Sequence, residues 1–124
     1  MGLDMNIVAA HNKKEVESDG FWTNLPDYTD IEVNSESYEY DRPAILAYWR
    51  KFWPLHTFLA TKYHLDNGEW TELTKDDLEE ILTFITHNTD YFDSFNSVPQ
   101  VCKILYYYDT LQENGLSLFY EGDY

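Results

Sequence analysis

The residues best suited to chemistry lie in one basic, aromatic segment, residues 42–65, which reads RPAILAYWRKFWPLHTFLATKYHL. It contains no Asp or Glu and holds four of the eight Lys and Arg residues, while the rest of the chain carries all 23 acidic residues. Cations flanked by tryptophans are suited to binding a carboxylate or phosphate, or to forming an interface hot spot. The pattern predicts a binding site formed by Trp49, Arg50, Lys51, Trp53 and His56.

Two structural interpretations compete with that prediction. Arg50 and Lys51 are equally suited to an internal salt-bridge hub, because the acidic segments of the chain need cationic partners. His56 falls on the apolar face of a predicted helix, where a histidine is more often a satisfied core residue than a ligand.

The sequence carries no pattern typical of catalysis or metal binding. The four histidines show no paired ligand spacing, and Cys102 is the single cysteine, so neither a metal site nor an internal disulfide is predicted. Cys102 has apolar neighbours on a predicted helix, which favours a small buried hydrophobic residue over a nucleophile. The five glycines are scattered and form no phosphate-binding loop. We therefore predict no catalytic residue, no metal and no cofactor.

A second candidate surface is acidic. Residues 27–41 (DYTDIEVNSESYEYD) contain six acidic residues, no basic residue and three tyrosines. Ile31 and Val33 alternate with acids there, which permits a short edge strand. The acidic interaction surface predicted from this segment comprises Asp27, Asp30, Glu32, Glu36, Glu39 and Asp41.

The net charge limits the kinds of partner. A formal charge of −15 opposes direct binding to nucleic acid and to an anionic membrane surface. Charged residues and Pro54 interrupt the apolar runs, so no membrane-spanning segment is predicted. The N-terminal residues lack the pattern of a signal peptide, and the single cysteine fits a reducing compartment, so we expect the cytoplasm. The partner expected from the charge is a protein with a basic surface.

The elements that must position these residues are predicted to form one α+β domain over residues 1–124, with about three helices and short N- and C-terminal strands. Residues 3–10 and 69–73 predict short strands. Residues 44–64 predict the longest helix, in which Pro54 is expected to cause a kink near Arg50 to Trp53 or a division into two shorter helices. The residues that recur there at helical spacing are Ile45, Trp49, Phe52, His56, Leu59 and Tyr63.

Capping patterns predict the remaining helices. Thr74 predicts an N-cap, with Asp77 in the capping-box position. A last helix is predicted to begin at Asn96 or Ser97, with Pro99 in its first turn, and to end near Asn114. Residues 116–121 alternate in polarity, which predicts a terminal strand lying beside the N-terminal one.

Three motifs carry a resemblance to a known family. The opening MGLDM, the central YWRK (residues 48–51) followed by Leu55 and His56, and the closing FYEGDY resemble a family of small proteins of bacteriophages and prophages. The helix start LTKDDLEEI is similar as well, whereas DYFDSFNSV stands where members carry a triple-phenylalanine run. The resemblance implies a phage accessory protein that acts in the host cytoplasm, with no established reaction.

The function expected from these features is binding without catalysis: a small acidic phage-encoded protein that modulates or inhibits a host protein, such as a defence factor. The chain has 4 Trp, 11 Tyr and 7 Phe, more than one small core easily buries, so some are expected in a contact surface. Two alternatives stay open. One is a mimic of DNA or RNA that occupies a basic nucleic-acid groove, and the other is a small enzyme or ligand-binding protein with a pocket around Trp49, Arg50 and His56.

Overall fold

A computed structural model describes residues 2–17, 44–87 and 94–124 of the chain. Within these ranges four strands form one antiparallel sheet, and four helices accompany it. This arrangement confirms the predicted α+β fold. In chain order the elements are β1 (Asp4–Ala10), α1 (Lys13–Glu17), β2 (Ala44–Arg50), α2 (Trp53–Tyr63), β3 (Thr71–Leu73), α3 (Lys75–Thr86), α4 (Ser94–Glu113) and β4 (Ser117–Asp123). The spatial order of the strands in the sheet is β2-β1-β4-β3.

The two terminal strands lie side by side at the centre of the sheet, as predicted. Strands β1 and β4 pair in an antiparallel register that runs from Asp4 opposite Asp123 to Ala10 opposite Ser117. The predicted strand at residues 69–73 is also present as β3, which pairs with the other edge of β4. The centre of the sheet is therefore formed by two strands that lie far apart in the sequence.

Residues 44–64 do not form one helix, which corrects the longest predicted element. Residues Ala44–Arg50 form strand β2, and helix α2 begins at Trp53 with Pro54 in its first turn. The helical spacing arose because a strand and the helix after it happen to place apolar residues at those intervals. Proline has no backbone N–H and a fixed φ that suits a first helical turn, so Pro54 marks a helix start and not a kink.

The large apolar residues of this segment are nevertheless buried as predicted. Trp49, Phe52 and Leu59 are 3%, 0% and 1% exposed. Between strand and helix, Lys51 adopts a left-handed conformation with φ of 60°. Its N–H donates to the carbonyl oxygen of Leu3 at 2.7 Å, which ties this turn to the start of β1.

The main core lies between one face of the sheet and helices α2–α4. Successive side chains of a strand point to opposite faces, so Leu3, Met5 and Ile7 share this face, and all three are fully buried. The helices cover them with Leu55, Leu59, Leu78, Ile81, Ile85, Val101, Ile104 and Leu111. The opposite face of the sheet carries a smaller apolar cluster of Val8, Ala10, Val16, Trp70 and Phe119.

Helix α3 begins with the predicted capping box. The Asp77 N–H donates to Thr74 Oγ1 (3.2 Å), and the Thr74 N–H donates to Asp77 Oδ2 (2.8 Å). Lys62 of α2 also donates to Asp77 Oδ1 at 2.9 Å, so this carboxylate joins the two helices. Partial burial opposes its ionisation, but the Thr74 N–H and the Lys62 ammonium outweigh burial and lower the pKa of Asp77 to about 2.

Helix α4 begins at Ser94, two or three residues before the predicted start at Asn96 or Ser97. Pro99 therefore lies inside the helix and not in its first turn. A helix can contain proline at the loss of one backbone hydrogen bond, and the long apolar contact of α4 with the core offsets that loss.

A side chain of α4 occupies the outer edge of strand β2. Gln100 accepts from the Tyr48 N–H at 3.1 Å and donates to the Tyr48 carbonyl oxygen at 3.4 Å. Both groups would otherwise face outward, because among the strands of the described ranges β2 is the last on its side of the sheet. The amide of Gln100 thus satisfies the backbone in the way a neighbouring strand would.

The shared carboxylate of α3 generates a prediction. We expect Asp77→Asn to lower the free energy of unfolding by about 1 kcal/mol at neutral pH, because the Lys62 ammonium loses one of its two charged partners, Asp77 and Glu80. The pKa of Asp77 is lowered in the folded state, so its charge stabilises the fold above about pH 4, and this contribution is lost as the pH falls through 2. Urea unfolding at several pH values measures the difference.

The neighbouring Asp76→Asn is the matched control. Asp76 carries the same charge in the same helical turn but is exposed, so its effect should stay within about 0.5 kcal/mol. Equal losses in the two variants would contradict the role given to Asp77.

Candidate functional site

A cavity of about 830 Å³ lies on the face of the sheet opposite helices α2–α4. We call it the sheet-face cavity. Three neighbouring strands supply its polar floor: Asp4 and Asn6 from β1, Tyr48 from β2, and Glu121 and Asp123 from β4. These positions alternate with the core residues of the same strands, which is why one sheet presents an apolar face to the helices and a polar face to the cavity.

The register of the sheet brings the carboxylates together. Asp4 lies directly opposite Asp123, and Asn6 lies opposite Glu121. Glu121 and Asp123 are two residues apart on one strand, so their side chains lie on the same face. Like charges placed opposite each other destabilise an antiparallel pair. The register therefore groups the carboxylates of Asp4, Glu121 and Asp123 on one face, with the cationic Arg50 opposite Asp4 on its other side.

Helix α1 and one loop form the walls of the cavity. Lys13, Val16 and Glu17 line it from α1, and Gly68 to Trp70 line it from the loop before β3. Val16 is fully buried in the smaller apolar cluster with Trp70, which holds α1 against the sheet. The Gly68 N–H donates to the Gly122 carbonyl oxygen at 2.8 Å and fixes the loop to β4.

The cavity is strongly acidic. Its lining includes five carboxylates and one ammonium group, that of Lys13. Burial and, to a smaller extent, the neighbouring charge of Asp123 raise the pKa of Glu121 to about 7. The Tyr48 hydroxyl donates to Asp4 Oδ1 at 2.6 Å, and this bond is the main reason that the pKa of Tyr48 is raised.

The spacing of these groups suits a distributed organic cation better than a metal ion. Among residues 2–17, 44–87 and 94–124, no three His, Cys, Asp or Glu side chains are grouped so that they could hold a metal. An ammonium or guanidinium group can instead donate hydrogen bonds to separate carboxylates through its several N–H groups. Tyr48 and Trp70 also line the cavity.

The five residues of the predicted basic and aromatic site do not form one site but lie in different parts of the structure. Trp49 lies in the main core. Arg50 lies opposite Asp4 in the strand register, and its charge acts on Tyr48, so it borders the sheet-face cavity. Lys51 is exposed at the turn that leads into α2. Trp53 and His56 belong to a separate aromatic cluster.

That aromatic cluster lies where β4 ends and α2 begins. The His56 Nδ1 is hydrogen bonded to the Tyr120 hydroxyl at 2.8 Å, and both residues are buried. Burial lowers the pKa of His56. The rings of Trp53 and Tyr124 contact each other with centroids 5.3 Å apart, and both are about two-fifths exposed. Asn67 holds Tyr124 by accepting from its N–H at 2.7 Å and donating to its carbonyl oxygen at 2.6 Å.

Gly122 provides the space for His56. A Cβ atom at Gly122 would lie 2.4 Å from His56 Nδ1 and 2.5 Å from its Cε1. Real side chains do not approach so closely, so any larger residue would displace the imidazole ring. The glycine therefore allows the histidine to reach Tyr120.

Two other predictions concern residues outside this site. The acidic surface predicted at Asp27, Asp30, Glu32, Glu36, Glu39 and Asp41 lies outside the described residues, as does the edge strand predicted at Ile31 and Val33. Cys102 is exposed, which corrects its predicted burial. The buried stripe of α4 passes through Val101 and Ile104, and Cys102 lies one position away from it.

Sequence reasoning did not find the carboxylates of the sheet-face cavity. Asp4, Glu121 and Asp123 are ordinary members of an acidic chain until the pairing of β1 with β4 brings them together. One signal was available: Asp4 and Glu121 each occupy an outward position in the alternation of a predicted terminal strand, and Asp123 follows two residues after Glu121. Combined with the predicted pairing, that alternation would have placed them on one face.

Comparisons with protein-family models, with curated proteins and with solved structures find no match to this chain. No helix in the described ranges has the length and apolar character needed to cross a membrane. Function is therefore inferred from the geometry of the sheet-face cavity and the surfaces around it.

The raised pKa of Glu121 leads to a pH-dependent prediction. Its folded-state pKa of about 7 lies above the ordinary value of 4.5, so the fold favours the neutral form. The resulting stabilisation is complete below pH 4.5 and is lost as the pH rises through 7. We expect Glu121→Gln, which stays neutral, to match the wild-type Tm at pH 4 and to exceed it at pH 8. Glu113→Gln, at the exposed end of α4, controls for the loss of one acidic residue. An equal change of Tm with pH in both variants would refute the assignment of this pH dependence to Glu121.

The close approach of Gly122 and His56 gives a second prediction. Gly122→Ala should destabilise the protein by about 1–3 kcal/mol, because the imidazole must move and leave the Tyr120 hydroxyl. Combining it with His56→Ala should cost less than the sum of the two single changes, since the smaller side chain restores the space. Gly2→Ala is the control, because its nearest neighbour is the mobile guanidinium of Arg50 at 3.4 Å. Strict additivity in chemical denaturation would contradict the proposed clash.

Proposed function

We propose that this protein acts by binding and not by catalysis, and that its sheet-face cavity receives basic side chains of a partner protein. The observation that carries the proposal is the convergence of Asp4, Glu121 and Asp123 on one concave surface. Each carboxylate is positioned by backbone pairing at the centre of the sheet, so the charges are held together with little freedom to separate. A ligand that supplies positive charge stabilises this arrangement.

The size of the cavity supports a ligand with several donors. Its volume of about 830 Å³ falls in the range of about 300–1,000 Å³ that is usual for ligand sites. The carboxylates extend from Asp4 across β4 to the loop residue Glu69. One Arg or Lys side chain cannot contact all of them, so a segment with more than one basic residue fits best.

The charge of the whole chain supports the same class of partner. With a formal net charge of −15, the protein attracts basic surfaces over long distances and repels acidic ones. The resemblance to phage accessory proteins makes a host protein the proposed partner, and the proposed effect of binding is to modulate or inhibit it. A defence factor that uses a basic surface is one such target.

The proposal is tested with a short synthetic Arg/Ser peptide and isothermal titration calorimetry. We expect saturable binding that weakens as NaCl rises from about 50 to about 300 mM, because exposed charges are screened. Binding should also weaken below pH 7, where Glu121 becomes protonated. The double variant Glu121→Gln with Asp123→Asn should lose about tenfold or more in affinity, since each charge-assisted hydrogen bond contributes at least that much.

The double variant Asp109→Asn with Glu113→Gln is the matched control. It removes the same charge from the exposed side of α4, away from the cavity, and should change the affinity less than about twofold. Equal effects of the two double variants would show that only the net charge matters. Turnover of a small molecule that Glu121→Gln abolishes in a folded protein would overturn the binding function.

A further inference from the structure

A second hollow surface lies between helices α2 and α3, which we call the helix groove. Its floor is the stacked pair Phe58 and Phe84, with ring centroids 4.8 Å apart and planes 17° from parallel. The two rings are shared by adjoining hollows of about 660 and 460 Å³. Both phenylalanines are only partly buried against the main core, so the stack presents apolar surface to the outside.

The helix groove is separate from the sheet-face cavity. Helices α2 and α3 pack on the core face of the sheet through Leu55 and Leu78. The cavity residues Asp4 and Glu121 belong to the opposite face. A partner in the groove therefore contacts none of the residues that line the cavity.

The two ends of the groove differ in chemistry. At one end Thr57 and Thr61 of α2 border an almost wholly apolar hollow. At the other end Asp76 and Glu79 of α3 are exposed beside the Phe stack. Lys62, the cation nearest the groove, already donates to Asp77 and Glu80, so it does not neutralise the first two carboxylates.

We infer that the helix groove binds an amphipathic helix of a partner protein, with bulky apolar side chains on the Phe58–Phe84 stack and Lys or Arg side chains beside Asp76 and Glu79. An amphipathic helix that binds in a groove lays its apolar face on the hydrophobic floor and leaves its polar side chains at the border of the groove. Helix α2 has 11 residues, about 16 Å, which matches about three turns of a bound helix. A second copy of this chain does not fit, because its own acidic surface would meet the same two carboxylates.

The test uses an amphipathic Leu/Lys peptide of about 14 residues and a Leu/Glu peptide of the same length and pattern. Amide chemical shifts of the ¹⁵N-labelled protein are followed during titration. We expect saturable shifts in residues 57–62 and 76–87 with the Leu/Lys peptide and none with the Leu/Glu peptide. Absence of binding, equal binding of both peptides, or shifts confined to residues 4–6 and 121–123 would overturn the inference.

Variants separate the groove from the cavity. Glu79→Lys reverses an exposed charge and should weaken binding of the Leu/Lys peptide about tenfold, whereas Glu113→Lys on α4 should change it less than about twofold. Phe84→Ala removes half of the stack and should weaken binding as well, provided that its spectrum stays native. The cavity variant Glu121→Gln with Asp123→Asn should leave this affinity unchanged. A loss in the cavity variant together with no loss in Glu79→Lys would assign the peptide to the cavity and refute the groove.

Discussion

The pairing of β1 with β4 is the constraint on which the rest of the molecule depends. In its register Met5 lies opposite Gly122 and Ile7 opposite Tyr120 on the core face. Side chains alternate along a strand, so a slip of one residue would exchange these groups for charged ones. The same register determines which residues the helices cover, where His56 finds room, and which carboxylates share the sheet-face cavity. The core and the proposed binding surface are thus two sides of a single set of backbone hydrogen bonds.

The polar side of that pairing is maintained at a cost in stability. Asp4 and Asp123 face each other with like charge, and the raised pKa of Glu121 reports that its ionised form is disfavoured. Apolar or neutral residues at these positions would make a more stable sheet. Departures of this kind from local rules are concentrated at functional surfaces in natural proteins. The apolar side, where Leu3 and Met5 are fully buried, supplies the stability that tolerates them.

Features that depend on a few neighbouring residues could be predicted from the sequence. The capping box of Thr74 and Asp77 and the terminal strands are examples, because each is specified by local hydrogen bonding or by alternation. Strand β2 was predicted as helix since its apolar residues fit a helical period, and only its pairing with β1 makes it a strand. The acidic cavity was not predicted, because Asp4 and Asp123 meet through tertiary structure alone. Of the five residues predicted as a basic and aromatic binding site, Arg50 lies next to the cavity, which it borders from β2.

The amide of Gln100 has a consequence for how these molecules behave together. The outer strand of an open sheet is a template on which another chain can add, and continued addition produces fibrils. Gln100 occupies both the N–H and the carbonyl oxygen of Tyr48, so an incoming strand finds those two groups already engaged. A partner that approaches this part of β2 therefore contacts side chains instead of free backbone groups. The same side chain therefore removes two of the edge groups through which neighbouring copies could extend one another's sheets in a concentrated solution.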